Sequence, residues 1–181
     1  MATDILNKKL EEACRNGDIE TVKKLLSYKR GVDPTWKNYI ALNEACYYGN
    51  LEIIKILIND TRVKLSDRNC SYALAKAVYR GHYGIVEFLL NDGRIDPAAS
   101  DNYALKNTTT HLDIISLLLR DSRVRNAVNS KYVMDNPMIC VNNGIKMRVG
   151  NPIIMFFHEM HKDTFDELTE EQKTVFRLKF H

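Results

Sequence analysis

Three glycines, Gly17, Gly49 and Gly81, recur at a regular interval of 32 residues, so the chain is built from a repeated unit. Each glycine follows a leucine by seven residues and an alanine by four residues. A valine or isoleucine comes five residues after it, and further apolar residues follow at spacings of three and four. These spacings place the side chains on one face of a helix. The frame therefore predicts two short helices in each unit, with the glycine ending the first helix at positive φ.

The segment around each glycine resembles the ankyrin repeat, which carries an A-x-x-x-G-H-L-E pattern. The three matching segments are residues 13–20, 45–52 and 77–84. A period of this length, with a turn and two helices, is typical of ankyrin proteins. The Asp-Pro turns between repeats and the Asn-Tyr-Ala-Leu sequence at the start of a repeat are similar to those of ankyrin proteins from large DNA viruses and amoeboid protists. The resemblance implies an all-α ankyrin-repeat solenoid that binds other proteins, including host proteins in the viral case.

One position departs from the family pattern. Ankyrin repeats carry a histidine after the leucine of the first helix, whereas this chain has Glu11, Asn43, Ala75 and Lys106 there. The hydrogen bonds that this histidine makes between repeats in the family are therefore in doubt here. His82, which follows the third glycine, is at a place where the family uses histidine structurally.

About four to five helix-turn-helix repeats with short hairpin loops account for most of the chain. The predicted repeats are residues 4–36, 37–68, 69–100 and 101–128, a degenerate unit at 129–162, and a C-terminal capping helix within 163–181. The first helix of the fourth repeat is expected to be short, because Thr108 to Thr110 replace its alanine and threonine is a poor helix former. A single domain of residues 1–181 is expected.

The charge balance argues against a nucleic-acid-binding protein. The chain has 26 lysines and arginines against 23 aspartates and glutamates, with a net charge of +3. This balance is too even for strong attraction to phosphates over the whole surface. The longest wholly apolar run, residues 153–157, is far too short to cross a bilayer. We expect no nucleic-acid or membrane partner, a monomer, and a cytoplasmic location with entry to the nucleus left open.

The cysteines and histidines do not predict a catalytic site. Cys14 and Cys46 occupy the same repeat position as Val78, so we interpret them as packing residues, with a redox or metal pair as the minor alternative. His158 and His161 are three residues apart, whereas the zinc-protease motif needs a spacing of four. The alternative to an interaction protein is a metal-dependent enzyme that uses these two histidines as ligands. We expect a protein with no enzymatic activity, no metal and no cofactor.

The resemblance also implies where a protein partner binds. In ankyrin proteins, partners usually dock on the concave side, formed by the hairpin tips and by the exposed residues just before each repeat glycine. The corresponding residues here are Arg15, Asn16, Trp36, Lys37, Tyr39, Tyr47, Tyr48, Arg68, Asn69, Ser71, Tyr79 and Arg80. This set is rich in tryptophan, tyrosine and arginine, the side chains that dominate binding energies. The centre of the predicted surface is Trp36, Tyr47, Tyr48, Tyr79 and Arg80.

Two alternatives to this interpretation remain open. In the first, the aromatic side chains only pack against neighbouring repeats, as we predict for Tyr72 and Tyr103 at the threonine position of the repeat. In the second, the chain is an adaptor whose C-terminal segment, residues 163–181, recruits a second protein. Deletion of residues 169–181 separates a cap from an adaptor, because a repeat protein loses stability with its cap.

Overall fold

The computed structural model describes residues 2–65, 70–108 and 111–127. Within these ranges the chain is helical and contains no strand. The helices are α1 (Ala2–Asn16), α2 (Ile19–Ser27), α3 (Trp36–Tyr48), α4 (Leu51–Ile58), α5 (Ser71–Arg80), α6 (Tyr83–Asp92), α7 (Ala99–Lys106), α8 (Leu112–Arg120) and α9 (Ser122–Ala127). Of the helices described here, none combines the length and the apolar character needed to cross a bilayer.

The helices belong to two compact units, Met1–Thr108 and Thr109–His181. Helices α1 to α7 lie in the first unit, and α8 and α9 lie in the second. The division falls within the predicted fourth repeat, at its run of threonines. Helix α7 has 8 residues whereas α5 has 10, as the poor helix propensity of threonine predicts. The predicted fifth repeat, 129–162, and the predicted cap, 163–181, lie outside the described residues.

Helices α1 to α6 form the three helix-turn-helix repeats that the glycine frame predicts. The frame side chains are buried between them. Those with almost no exposure are Leu10, Val22, Leu42, Ile54, Leu57, Leu74, Val86 and Leu89. Helix α1 packs against α3, α3 against α5, and α5 against α7, so the first helices form one layer. Burying one such aliphatic side chain stabilises the fold by about 1.5–3 kcal/mol, and the predicted all-α solenoid is confirmed.

Helices α1, α3 and α5 each end in a Schellman turn at a glycine. Gly17, Gly49 and Gly81 have φ angles of 75°, 84° and 75°. The N–H of the following residue donates back to the frame alanine, as in the bond from Asn50 N to Ala45 O at 2.9 Å. Residues with a β-carbon are strained at this φ, whereas glycine is not. The glycine ladder is therefore a requirement of the helix ends.

The residue after the second glycine and the residue after the third glycine each bind the repeat before them. Asn50 donates through Nδ2 to the carbonyl oxygens of Cys14 at 2.7 Å and Arg15 at 3.2 Å. Nε2 of His82 lies 3.0 Å from the carbonyl oxygen of Tyr47. These bonds satisfy carbonyls at the ends of α1 and α3 that have no partner within the helix. The position after the glycine thus supplies hydrogen bonds between repeats, whereas the position after the leucine lacks the histidine of the family.

A second link between repeats is an Asp-x-Arg sequence that follows the second helix, which we name the Asp-x-Arg clamp. Arg62 forms an ion pair with Asp60 at 2.6 Å. Its guanidinium also donates to the carbonyl oxygen of Leu26 at 3.1 Å and to that of Val32 at 2.7 Å. Leu26 lies in the last turn of α2, where carbonyls lack helical partners and positive charge is favoured. The clamp therefore fastens the second repeat to the end of the first.

The same clamp recurs one repeat later. Arg94 forms an ion pair with Asp92 at 2.7 Å and donates to the carbonyl oxygen of Ile58, the last residue of α4, at 3.1 Å. In the second unit, Arg123 pairs with Asp121 at 2.6 Å between α8 and α9. The triplet is thus a repeated structural device.

We expect Arg62→Met to lower the free energy of unfolding by about 2–4 kcal/mol, because it leaves a half-buried carboxylate and two carbonyl groups without their donor. Urea unfolding followed by circular dichroism measures this. The matched control is Lys23→Met, which removes an exposed ion pair with Glu20 at 3.2 Å and should change stability by about 0.5 kcal/mol or less. Equal effects of the two substitutions would contradict a role of the clamp.

Hydrogen bonds from Arg62 hold the pKa of Asp60 below its ordinary value. A carboxylate whose pKa is lower in the folded chain stabilises the fold above its unfolded pKa, about 3.9, and this stabilisation is lost as the pH falls through the folded pKa. The difference in unfolding free energy between the wild type and Asp60→Asn should therefore shrink from about pH 6 to about pH 2.5. Urea titrations at each pH measure it, and a difference that stays constant or grows on acidification would contradict this linkage.

Candidate partner-binding surface

Three tyrosines form a cluster at the ends of two first helices: Tyr47 and Tyr48 in α3 and Tyr79 in α5. The rings of Tyr47 and Tyr79 stack with their centroids 6.3 Å apart and their planes at 17°. Tyr48 meets Tyr47 edge to face, at 5.1 Å and 68°. We name these three residues the tyrosine cluster. Tyr48 and Tyr79 are 48% and 53% exposed, so the cluster lies on the surface and is not part of the core.

The repeat geometry explains this stack. Tyr47 and Tyr79 occupy the same position, two residues before the glycine of adjacent repeats. Since α3 packs against α5, side chains at equal repeat positions are neighbours. The bond between His82 and the Tyr47 carbonyl fixes the end of α3 against the next repeat. The cluster therefore rests on a backbone that the repeat contacts hold in place.

Two cationic side chains of α5 approach the face of Tyr47. The guanidinium carbon of Arg80 lies 4.8 Å from the ring centroid, and Nζ of Lys76 lies 5.9 Å from it. Both side chains are exposed. Cation–π contacts at such sites contribute about 0.5–1 kcal/mol each. No carboxylate among the described residues forms an ion pair with Arg80 or Lys76.

In the first repeat, Arg15 occupies the position that Tyr47 and Tyr79 occupy in the next two repeats. Its Nε donates to Oε2 of Glu44 at 2.8 Å, and its Nη2 donates to Oε1 of Glu11 at 3.2 Å. The hydrogen bond and charge of Glu44 raise the pKa of Arg15. Asn16, beside it at the end of α1, is exposed. The positive charge of the predicted surface is thus neutralised at its first repeat.

Trp36 and Lys37 lie at the start of α3, at the opposite end of that helix from Tyr47. Nζ of Lys37 is 4.4 Å from the centroid of the Trp36 ring. Within the described ranges, no ring contact joins this pair to the tyrosine cluster. Two other predicted residues, Arg68 and Asn69, lie outside the described residues.

Two residues of the predicted surface are buried, which corrects the prediction for them. Tyr39 is 5% exposed and Ser71 is 4% exposed. Tyr39 comes at the end of a left-handed turn, with φ of 48° at Lys37, 55° at Asn38 and 62° at Tyr39 itself. This turn departs from the helical path, and the Tyr39 hydroxyl donates to the carbonyl oxygen of Lys64 at 3.5 Å. Ser71 opens α5, which packs between α3 and α7.

Tyr72 and Tyr103, predicted to be structural, contact each other. Their rings meet edge to face with centroids 5.1 Å apart. Tyr72 lies in α5 and Tyr103 in α7, so the pair links two adjacent first helices. Both rings are also partly exposed, at 40% and 36%, and the interpretation of these two tyrosines as packing residues between repeats stays a prediction.

Sequence reasoning missed two charged residues beside the tyrosine cluster. Lys76 lies three residues before Tyr79 and four before Arg80, a spacing that places it on the same helix face. Glu44 lies three residues before Tyr47 in α3 and holds Arg15. Helix periodicity applied to the residues before the predicted set would have found both.

The described cysteines, Cys14, Cys46 and Cys70, are buried thiols, and Sγ of Cys70 donates to the carbonyl oxygen of Lys64 at 3.4 Å. Burial raises the pKa of the Cys14 thiol to about 12 and also raises that of Cys46. A raised pKa lowers the fraction of each thiol that is ionised at neutral pH, and the thiolate is the nucleophilic form. Among the residues that the structure describes, no group of three or more His, Cys, Asp or Glu side chains could hold a metal. His158 and His161, the alternative metal ligands, lie outside those residues.

A family model for ankyrin repeats in three copies matches residues 10–101 of the chain. This stretch contains the glycine ladder, the described clamps at Arg62 and Arg94, and the tyrosine cluster. No curated protein and no solved structure matches the chain.

Proposed function

This chain belongs to the ankyrin repeat family, and we propose that it acts without catalysis of its own by holding a protein partner on the tyrosine cluster and the residues around it. Ankyrin repeats are protein interaction modules. The partner of this chain contacts Tyr48, Tyr79 and Arg80 directly, with Tyr47 beneath them as their common support. The chain binds as a monomer.

The observation that carries this proposal is the exposure of the tyrosine cluster. Tyr48 and Tyr79 are 48% and 53% exposed, more than the paired rings of Tyr72 and Tyr103 at 40% and 36%. Their ring contacts with Tyr47 limit their rotamers before a partner arrives. Preordered aromatic side chains lose little entropy on binding and are typical anchors of interfaces. An exposed cluster of this kind on a helix layer thus favours a docking role.

Trp36 is the second anchor of the proposed surface. It lies at the other end of α3, with Lys37 over its ring. A partner that contacts both Trp36 and the tyrosine cluster extends along the length of α3. Arg15, Asn16 and Lys37 form the polar rim, and Arg68 and Asn69 join it on their sequence positions alone. Binding of a host protein, which the resemblance to viral ankyrin proteins implies, belongs to the same proposal.

A triple variant tests the placement of this surface. The partner is first captured with the wild type and identified by mass spectrometry. A variant that combines Trp36→Ala, Tyr48→Ala and Arg80→Ala should then fail to capture it, because hot-spot residues each contribute about 2 kcal/mol or more. The control is Tyr28→Ala, Arg30→Ala and Tyr83→Ala, which removes two exposed tyrosines and one exposed arginine elsewhere. Both variants should retain the circular dichroism melt of the wild type. Undiminished capture by the folded first variant would refute the placement.

A further inference from the structure

The charge of the proposed surface changes sign along the stack of repeats. The position five residues before the repeat glycine is Glu12 in the first repeat, Glu44 in the second and Lys76 in the third. Oε2 of Glu44 lies 2.8 Å from Nε of Arg15, and the two side chains form an ion pair. Lys76 instead lies near Tyr47 together with Arg80. On this surface Arg15 is therefore neutralised by Glu11 and Glu44, whereas Lys76 and Arg80 form no ion pair with a carboxylate of the described residues, which leaves a local excess of positive charge at the third repeat.

This excess charge is available to a ligand. Lys76 and Arg80 are exposed, and no carboxylate of the described residues pairs with either. Arg94, in contrast, is already held by Asp92 and by the Ile58 carbonyl. The two cations of α5 also approach the same aromatic ring, so they lie near one another. Carboxylates of one peptide segment can thus meet both of them at the edge of the tyrosine cluster.

We propose that the partner presents an acidic peptide segment, whose aspartate or glutamate carboxylates bind Lys76 and Arg80 while neighbouring apolar side chains cover Tyr48 and Tyr79. This inference rests on the proposed function, since it names the chemistry of the partner at the same surface.

The geometry of Arg80 suits this role. A guanidinium that lies against an aromatic face keeps its N–H groups directed outward in the plane, where a carboxylate accepts two of them. The contact with Tyr47 restrains the side chain before binding, so less entropy is lost when the ion pair forms. A basic segment is disfavoured, because it would place like charges together at Lys76 and Arg80. The tyrosine faces supply the apolar contact that a purely ionic site lacks.

Selection from a random-peptide phage display library against the full chain tests this proposal. We expect the enriched peptides to combine acidic with apolar residues. By fluorescence anisotropy, these peptides should bind Lys76→Glu/Arg80→Glu at least about tenfold more weakly than the wild type. Peptides with lysine in place of their acidic residues should regain binding to that variant. The matched control, Lys9→Glu/Lys24→Glu, makes the same change of charge at exposed positions of α1 and α2 and should bind as the wild type does.

The outcomes separate this inference from the proposed function. Peptides that lose binding with Tyr47→Ala but not with Lys76→Gln/Arg80→Gln overturn the acidic segment while leaving the surface in place. Peptides that are indifferent to Tyr47→Ala overturn the surface itself, and the inference with it. Enrichment of neutral or basic peptides, failure to enrich any peptide, or equal weakening by the Lys9→Glu/Lys24→Glu control overturns the inference. Thermal melts of each variant establish that it is folded.

Discussion

Gly49→Ala lowers the free energy of unfolding by about 2–4 kcal/mol, through two effects that act together. The residue has φ of 84°, where a β-carbon costs about 1–2 kcal/mol. The added Cβ would also lie 2.9 Å from Cε1 of His82, so the imidazole ring must move. Movement of that ring breaks its hydrogen bond with the Tyr47 carbonyl, which links two repeats. Urea unfolding of the full chain measures the loss.

Substitutions at two other glycines separate the backbone strain from the contact with His82. Gly93 has φ of 76°, and nothing lies within 4 Å of a Cβ added there, so Gly93→Ala carries the backbone strain alone. Gly84 lies in α6 without positive φ and also has open space, so Gly84→Ala should raise stability by about 0.5–1 kcal/mol. We expect stability to rise in the order Gly49→Ala, Gly93→Ala, wild type, Gly84→Ala. Equal losses at Gly49 and Gly93 would contradict the close approach of His82.

Tyr47→Ala weakens partner binding by about 2 kcal/mol or more, roughly thirtyfold in Kd. The ring of Tyr47 contacts Tyr48, Tyr79 and Arg80, so its loss releases all three from their orientations. Tyr47→Phe keeps the ring and should bind within about 1 kcal/mol of the wild type, because the stacking and cation contacts need only the aromatic face. Isothermal titration with the purified partner measures both.

A control for Tyr47→Ala is Tyr83→Ala, at an exposed tyrosine that opens α6. It should leave Kd unchanged. If Tyr47→Ala and Tyr83→Ala weakened binding equally, or if Tyr47→Phe were as weak as Tyr47→Ala, the ring of Tyr47 would not be the support of the site.

Much of the fold could be predicted from the sequence, because the repeat imposes the same helix ends three times. The spacing of leucine, alanine and glycine indicates buried faces and a Schellman turn without knowledge of tertiary contacts. The register it sets also predicts that Tyr47 and Tyr79 lie in equivalent places on adjacent helices. Their stack at 6.3 Å follows from that register and from the packing of α3 on α5.

Other features depend on the path of single residues and escaped prediction. Tyr39 is buried because Lys37 and Asn38 adopt a left-handed turn, although neither is a glycine. Sequence propensity disfavours that conformation, so a regular hairpin tip was the expected form. The Asp-x-Arg clamp has a sequence signal, since the triplet recurs at 60–62, 92–94 and 121–123. Its meaning as a bond to the preceding repeat needs the three-dimensional stack.

Site-specific photo-crosslinking tests the central claim, the location of the partner, most directly. The photoreactive residue p-benzoylphenylalanine replaces either Tyr48, which is 48% exposed in the tyrosine cluster, or Tyr28, which is 44% exposed after α2. Because the two positions are nearly equal in exposure and residue type, they differ chiefly in location. Irradiation of the complex should yield a covalent adduct with the partner from position 48 and none from position 28. An adduct from position 28 alone, or equal adducts from both, would contradict binding at the tyrosine cluster.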